Sequence, residues 1–119
     1  ELEDAYAFSY NNKVYMFSRD FKGALGSDSG GLLWESNDGF HFSKEKVKRA
    51  FDGLDAYVGK ESLSEASIYR GHREGNLERP QLLIENGIPT YMYVATGINS
   101  EAGFGSSSHV FKLNLSEVK

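Results

Sequence analysis

The feature that most constrains the fold is a pattern that occurs twice along the chain. Residues 77–84 read LERPQLLI, a charged entry followed by an apolar segment. A turn follows at residues 85–87, and a second apolar segment, TYMYVAT, lies at residues 90–96. Two such segments around an Asn-Gly turn are typical of a β-hairpin. The pattern therefore predicts a hairpin with charged side chains at the start of its first strand.

The same pattern occurs near the beginning of the sequence. Leu-Glu at residues 2–3 matches Leu-Glu at residues 77–78, and Tyr-Met-Phe at residues 15–17 matches Tyr-Met-Tyr at residues 91–93. The offset is 75 residues at the first match and 76 at the second. We interpret the two segments as an internal repeat, in which each copy is one structural unit.

The composition favours an all-β chain and limits its partners. Gly, Tyr and Phe are frequent, at 13, 7 and 8 residues, and long helical periodicities are few. The net charge is −4, and the basic residues are dispersed among acids, so we expect no nucleic-acid partner. No apolar run approaches the roughly 20 residues that a membrane helix needs, so we expect no membrane partner.

The chain contains no cysteine. This excludes disulfides and thiolate metal sites, and we expect neither a metal nor a cofactor. The absence of cysteine leaves the compartment open, with secretion and the periplasm among the options.

The first repeat predicts four short antiparallel strands. Two lie at residues 5–10 and 13–18, joined at residues 11–12, an Asn-Asn dipeptide that tolerates positive φ. A third strand is predicted at residues 30–36, and a fourth begins at residues 40–42 after an Asp-Gly turn. Four consecutive strands of this kind form a meander sheet, the unit from which propeller blades are built.

The region after the fourth predicted strand has no strong pattern. Residues 44–50 are charged and predict a short helical turn or a solvated connection. Residues 54–58 fit a strand or an irregular connection, and residues 62–67 are compatible with a helix but have no apolar face. Loops rich in small residues are predicted at residues 23–31 and 97–108.

The second repeat predicts strands at residues 80–84, 90–95 and 109–115. The fold prediction is therefore a single all-β domain of antiparallel meander sheets, a partial β-propeller with about two blades. Its predicted parts are blade one at about residues 2–45, a connection at 46–76 and blade two at 77–116. A propeller closes with four or more blades, so we expect the remaining blades of the same protein, or sister subunits, to complete it.

Two motifs resemble known proteins. Residues 36–42, SNDGFHF, resemble the S-x-D-G-x-x-W turn between the outer strands of blades in five-bladed propeller glycosidases, with Phe42 in the place of Trp. The segment from Leu77 through Tyr93 resembles the E-G-P blade start of glycoside hydrolase family 43 and related bacterial proteins, and residues 2–5 resemble the D-P start of a preceding blade. Arg79 stands where that family has Gly, and Ala5 stands where it has Pro.

The resemblance implies an enzyme that hydrolyses glycosidic bonds of a carbohydrate substrate. Such hydrolysis needs two carboxyl groups across the scissile bond, one of them protonated. The resemblance assigns the general acid to Glu78 and makes Asp4 the neighbouring carboxylate that orients it. Glu3 is a rival candidate, because the repeat aligns Glu3 with Glu78. The family also uses an Asp base from an earlier blade that this sequence does not contain.

Further residues are candidates for substrate binding. Besides Glu3, we select Arg79, next to the proposed acid, and Arg19 and Asp20, which end a strand beside a Gly-rich loop. The alternatives are that Glu78 and Arg79 form a structural ion pair, and that Arg19 and Asp20 form a solvated surface pair.

Two ring-bearing residues complete the candidates. Trp34 is selected because aromatic rings stack on sugar faces, and His109 because it follows a loop and is able to face the propeller axis. Packing within the sheet is the alternative for Trp34, and a half-exposed strand position is the alternative for His109. For the whole chain, the alternative function is a non-catalytic carbohydrate- or protein-binding β module that is able to oligomerise.

Overall fold

A computed structural model describes residues 3–20, 25, 30–58, 76–96 and 107–114. In this part of the chain seven strands form two antiparallel sheets, so the all-β prediction is confirmed. The first sheet has the strand order β1-β2-β3-β4, and its strands are Tyr6–Tyr10, Lys13–Arg19, Gly31–Ser36 and Lys48–Phe51. The second has the order β5-β6-β7, and its strands are Glu78–Glu85, Ile88–Thr96 and Ser107–Lys112.

Both predicted hairpins form around two-residue turns with left-handed backbone. Asn11 and Asn12 have φ of 53° and 60°, and Asn86 and Gly87 have φ of 52° and 76°. Positive φ at both central residues is the mark of a type I′ turn, whose twist matches that of the flanking strands. Asn and Gly are the residues that adopt this backbone at low cost, which is why the turns were visible in the sequence.

The internal repeat is retained in the strand pairing. Tyr6 pairs with Phe17 in the first hairpin, and the matching positions Gln81 and Tyr93 pair in the second. The next pairs toward the turn match in the same way. The two hairpins therefore share one register, and side chains at matching positions lie on matching faces of their sheets.

A β-bulge explains why the repeat offset changes from 75 to 76. Up to Pro89 the second hairpin follows the first at an offset of 75 residues, and Thr90 is the additional residue. The pairing shifts register just after Leu83, opposite this point, as a bulge requires. The Thr90 hydroxyl lies 3.2 Å from the Leu83 carbonyl oxygen and 2.8 Å from Glu85 Oε1, within donating distance of both.

The core lies between the two sheets. Its buried members are Phe17, Phe51, Leu54, Leu77, Met92 and Val94. The second sheet contributes Met92 and the partly buried Leu82, whose matching positions in the first repeat are Met16 and Ala7. Those two residues lie on the face of the first sheet opposite Phe17, because neighbouring strand residues point to opposite faces. The core-facing side of the second sheet therefore matches the outward side of the first sheet, which means that the two sheets stack in the same orientation.

The fourth strand predicted at residues 40–42 is wrong, and the sheet is completed by Lys48–Phe51 instead. The Asp38 carboxylate accepts the backbone N–H groups of Phe40 and His41, each at 2.8 Å. Those donors are therefore not available to a β ladder. The Phe40 side chain is 86% exposed, so the alternation of aromatic residues there marks no buried face.

The connection is partly as predicted. Lys44–Lys46 forms the expected short helical turn, of the 3-10 type. The prediction for residues 48–50 is wrong, because these residues belong to strand β4 and not to a helical turn or a solvated connection. Asp55–Val58 is a one-turn helix, α1, rather than a strand or irregular connection. It forms because Leu54 is buried and the Tyr57 ring packs 4.7 Å from the Phe111 ring.

The remaining sequence predictions are only partly within the described residues. The expectation for residues 62–67 lies outside them. The loop predicted at 23–31 is described only at residues 25, 30 and 31, and the strand β3 already includes residue 31. The loop predicted at 97–108 is described only at residues 107 and 108, where β7 has begun, and β7 ends at residue 112 rather than 115. The blade boundaries stay a prediction.

Substitution of Leu77 by Ala is expected to destabilise the fold by about 2–5 kcal/mol, because the side chain is 1% exposed and its loss leaves a cavity. Urea unfolding followed by circular dichroism measures the change. Phe40→Ala removes a larger side chain from an exposed turn and should cost less than about 0.5 kcal/mol. Similar losses for both variants would contradict the described core.

Candidate functional site

The starts of the two repeats meet at one place in the molecule. Strand β5 contacts β1 and β2, and Asp4 Oδ2 accepts a hydrogen bond of 3.2 Å from the backbone N–H of Arg79. Asp4 and Arg79 occupy matching positions of the repeat, and both have left-handed backbone, with φ of 58° and 54°. The Gly of the E-G-P motif suits such a backbone, and a non-Gly residue there costs of order 1–3 kcal/mol.

Arg19 connects the two matching glutamates. Its Nη1 atom lies 2.8 Å from Glu3 Oε2 and 3.3 Å from Glu78 Oε1. The side chains of Arg19 and Glu78 are 11% and 4% exposed, whereas Glu3 is about half exposed. The backbone N–H of Arg19 also donates to the Glu3 carbonyl oxygen at 2.8 Å. A mostly buried cation is therefore held between one carboxylate from each repeat.

We name these five residues the acid–arginine cluster: Glu3, Asp4, Arg19, Glu78 and Arg79. All five were selected from the sequence, and the structure brings them together. The Arg79 guanidinium is mostly exposed and lies 4.0 Å from Asp4 Oδ1. Three carboxyl groups and two guanidinium groups give a site that both accepts and donates hydrogen bonds. Such a mixture suits a ligand with many hydroxyl groups.

The pairing within the cluster differs from the expected one. Ion pairs join Glu78 to Arg19 and Arg79 to Asp4, rather than Glu78 to Arg79. Arg79 has left-handed backbone, and the pairing of β5 with β6 shifts register just after Glu78, so the two side chains leave the strand in different directions and find different partners. The structural ion pair proposed between them from the sequence is therefore wrong.

Asp20 makes its contacts outside the cluster. Its carboxylate is buried and lies 3.0 Å from Arg49 Nη1, and it also accepts the backbone N–H of Leu25 at 3.0 Å. The backbone N–H of Asp20 donates to the Gly30 carbonyl oxygen at 3.0 Å. Arg19 and Asp20 are thus not the solvated surface pair that was the alternative, because Asp20 is buried, Arg19 is mostly buried, and each has a different partner.

Arg49, the partner of Asp20, was not selected from the sequence. Its Nε atom lies 3.3 Å from Asp52 Oδ1, in addition to the contact of its Nη1 atom with Asp20. Nothing in the sequence marks Arg49, because it lies in a charged segment that reads as solvated and is 29 residues from Asp20.

Trp34 lies on β3, an inner strand of the first sheet, and His109 lies on β7, at the edge of the second sheet. The Trp34 indole N–H donates to Ser18 Oγ at 2.8 Å, and the ring lies across from Met16 on the first sheet. His109 is half exposed and pairs with Val94 between β6 and β7. Neither residue makes a described contact with the acid–arginine cluster, so their part in substrate binding stays a prediction.

The turn at residues 36–41 is a compact hydrogen-bonded unit. The Ser36 hydroxyl donates to Asp38 Oδ1 and accepts the N–H of Gly39, both at 2.9 Å. The backbone N–H of His41 lowers the pKa of Asp38 most, and the His41 ring, the Phe40 N–H and the Ser36 hydroxyl add to it, so that the pKa lies far below its ordinary range. The Asp38 carboxylate in turn raises the pKa of His41. Gly39 has φ of 80°, as a turn of this shape needs.

A cavity of about 320 Å³ lies between the two sheets, but the acid–arginine cluster does not line it. Its walls include Phe8, Tyr15, Phe51 and Phe111. In the described part of the chain no helix is long and apolar enough to cross a membrane. No group of three or more His, Asp and Glu side chains there is placed to hold a metal ion.

A scan of protein-family models, a search of curated proteins and a search of solved structures each found no match to this chain.

Replacing Arg19 with Met should destabilise the protein by about 1–3 kcal/mol, because the buried Glu78 carboxylate loses a cation. The double variant with Glu78→Gln should recover part of this loss, with a coupling of about 0.5–3 kcal/mol. Urea unfolding of the two single variants and the double variant measures the cycle. Strictly additive losses would show that the ion pair contributes nothing.

The His41 pKa is expected to lie above its ordinary value of about 6.5, and Asp38→Asn should return it toward that value. A raised pKa in the folded state gives stability that is present below pH 6.5 and lost as the pH rises through the folded pKa. The lowered pKa of Asp38 acts in the other direction and gives stability that is lost in strong acid. An NMR titration of the His41 ring measures its pKa in the unaltered protein and in Asp38→Asn. The same His41 pKa in both proteins would contradict the ion pair.

Proposed function

We propose that this chain is part of a carbohydrate-active enzyme of the β-propeller type, which hydrolyses glycosidic bonds by carboxyl acid/base catalysis. The observation that carries this proposal is the acid–arginine cluster, formed where the first strands of two repeats meet. Two meander sheets stacked in one direction support the propeller architecture. In such an architecture the inner strands of successive blades begin around a shared axis, where a substrate binds.

In this proposal Glu78 is the general acid and Asp4 is a positioning residue. Asp4 binds the backbone N–H of Arg79, and this hydrogen bond holds the chain at the residue after Glu78. A small shift of a catalytic carboxyl group reduces the rate strongly, so a fixed backbone at this point serves the reaction.

Arg19 and Glu3 control the charge around Glu78. A nearby guanidinium favours an ionised carboxyl group, whereas a general acid must carry a proton. Arg19 lies closer to Glu3, at 2.8 Å, than to Glu78, at 3.3 Å. In the proposed mechanism Glu3 retains Arg19 when a sugar enters, Glu78 takes up a proton from solvent, and Glu78 then transfers that proton to the leaving oxygen. The second carboxyl group of the reaction comes from outside this sequence, as the family resemblance implies.

The Arg19–Glu78 ion pair also favours a second function, a non-catalytic carbohydrate-binding module. In that case Glu78 stays a carboxylate and accepts hydrogen bonds from sugar hydroxyls, while Arg19 and Arg79 donate them. Trp34 lies on the opposite face of the first sheet from Arg19, so it would supply an apolar face for a sugar ring at a separate contact.

Glu78→Gln should lower kcat for aryl glycosides by about 10²–10⁴-fold with little change in KM, because the variant cannot donate a proton. The assay uses the complete polypeptide that contains this sequence, with a panel of aryl glycosides. Glu45→Gln is the matched control, since Glu45 is an exposed residue of the 3-10 turn. If Glu78 is the general acid, the fall of kcat at high pH should be absent in Glu78→Gln.

The same variants distinguish the two functions. Calorimetry with oligosaccharides measures binding while the glycoside panel measures hydrolysis. Binding that is lost in Trp34→Ala and unchanged in Glu78→Gln, with no hydrolysis by the unaltered protein, would establish the binding module instead. Loss of activity in Glu45→Gln as well would show a general effect on folding.

A further inference from the structure

The cavity between the two sheets takes no part in the acid–arginine cluster. Its volume is about 320 Å³, and it extends from Phe17 in the core to Tyr10 and Pro89, which lie next to the two hairpin turns. Arg19 lies at the other end of strand β2. A largely apolar space of about 300 Å³ or more, with a few polar groups, is the usual form of a site for a small molecule. The cavity is therefore a second candidate site, separate from the proposed catalytic one.

The wall that the first sheet forms is a row of aromatic rings. The Phe8 ring centroid lies 5.6 Å from that of Tyr15 and 5.2 Å from that of Phe17. Phe51 continues this wall, with its ring centroid 6.0 Å from that of Phe17. All four residues line the cavity. Such a wall favours a flat ligand, because a flat ring is able to stack on aromatic side chains or to meet them edge to face.

The opposite wall is also apolar. Met92 and Phe111 come from the second sheet, and Tyr57 from α1 lines the cavity with its ring centroid 4.7 Å from that of Phe111. Methionine sulfur and aromatic edges both make favourable contacts with a ring. A cavity of roughly 150 Å³ holds one benzene molecule. The volume of about 320 Å³ is therefore enough for two fused rings.

One end of the cavity is charged and open to solvent. Glu35 lines it, and the Glu35 oxygens lie 3.3 Å from Lys13 Nζ and 3.9 Å from Lys46 Nζ. The side chains of Lys13 and Lys46 are 40% and 58% exposed. Lys48 also lines the cavity. Three ammonium groups against one carboxylate give an excess of two positive charges, although the whole chain has a net charge of −4. This end therefore suits an anionic group rather than a cationic one.

We propose that this cavity binds a small aromatic carboxylate, a molecule with two fused rings and one anionic group. The rings lie between the aromatic wall and Met92, and the carboxylate lies at the lysine end. There it accepts hydrogen bonds from ammonium groups and keeps its contact with water, so that its charge is not fully desolvated. The inference concerns a site apart from the acid–arginine cluster, so it holds or fails independently of any activity on carbohydrates.

Three probes that share the naphthalene ring and differ in charge test the ligand class. Titration calorimetry on the 119-residue chain measures their binding. The anion 2-naphthoate should bind with a Kd of about 1 mM or tighter, the range expected for a ligand of roughly 13 non-hydrogen atoms. The neutral 2-naphthylmethanol should bind about two- to fivefold more weakly, because it carries no charge for the lysines. The cation 2-naphthylmethylammonium should bind more weakly than both.

The two methionines of the chain locate the bound probe. Met92 lines the cavity, whereas Met16 lies on the other face of the first sheet, because it alternates with Tyr15 and Phe17. In an NMR titration, 2-naphthoate should shift the methyl signal of Met92 and leave that of Met16 in place. The variant Met16→Leu assigns the two signals.

A matched pair of lysine variants tests the charged end. Lys46→Gln should weaken the binding of 2-naphthoate about two- to fivefold, as expected for the loss of one solvent-exposed ionic contact. Lys44→Gln is the control, because Lys44 is an exposed residue of the same 3-10 turn and does not line the cavity. It should leave the binding of 2-naphthoate unchanged.

Filling the cavity tests the apolar part of the site. Leu33 and Ala50 line the cavity and pack against the core, so Leu33→Trp and Ala50→Leu each place additional atoms in this space. Each variant should weaken the binding of 2-naphthoate about tenfold or more, since the rings lose their place. Two substitutions are used because additional volume sometimes disturbs a core. Circular dichroism shows which variants are folded, and binding is compared among those.

Four results would overturn the proposal. A Met92 signal that does not respond to 2-naphthoate would show that the cavity takes no such ligand. Equal shifts of Met92 and Met16 would show binding at no particular place. Equal or tighter binding of 2-naphthylmethylammonium would show that the lysine end does not select an anion. Undiminished binding of 2-naphthoate by a folded cavity-filling variant would place the probe outside the cavity.

Discussion

The packing of the two sheets on one another is the interaction on which the rest of the structure depends. Phe17 and Phe51 from the first sheet meet Met92 and Val94 from the second, and all four are buried. Full burial of each such side chain contributes about 1.5–3 kcal/mol. Strands β1 and β5 are joined by no ladder hydrogen bonds, since they belong to different sheets. This packing, together with the contacts of the acid–arginine cluster, brings the starts of the two repeats together.

The acid–arginine cluster depends on that packing and also makes it specific. Arg19 continues the row of core-facing residues of β2 beyond Phe17, and it reaches Glu78 only when the second sheet lies on that face. A slip of one residue would turn Arg19 to the other face and leave Glu78 buried without this cation. The same arrangement that gathers a candidate site for hydroxyl-rich ligands therefore selects one register of the core.

The parts of the fold that could be predicted are those whose conformation depends on residues close in sequence. The Asn-Asn and Asn-Gly turns and the two hairpins follow from backbone preferences within a few residues. The fourth strand was predicted wrongly because Phe40 and Phe42 alternate as in a strand, whereas a single carboxylate, Asp38, takes the backbone donors. The helix α1 was missed because it depends on the burial of Leu54, which no local pattern shows.

The sequence by itself determined the repeat, the register of each hairpin and the placement of a Glu at the start of each repeat. Only the tertiary structure decided which side chains meet, because that depends on which face of each sheet is covered. Arg49 reaches Asp20 across 29 residues, and Arg79 reaches Asp4 across 75. Alternation along a strand defines two faces but does not say which is inside. The stacking of one sheet on the other makes that choice, and the ion pairs follow from it.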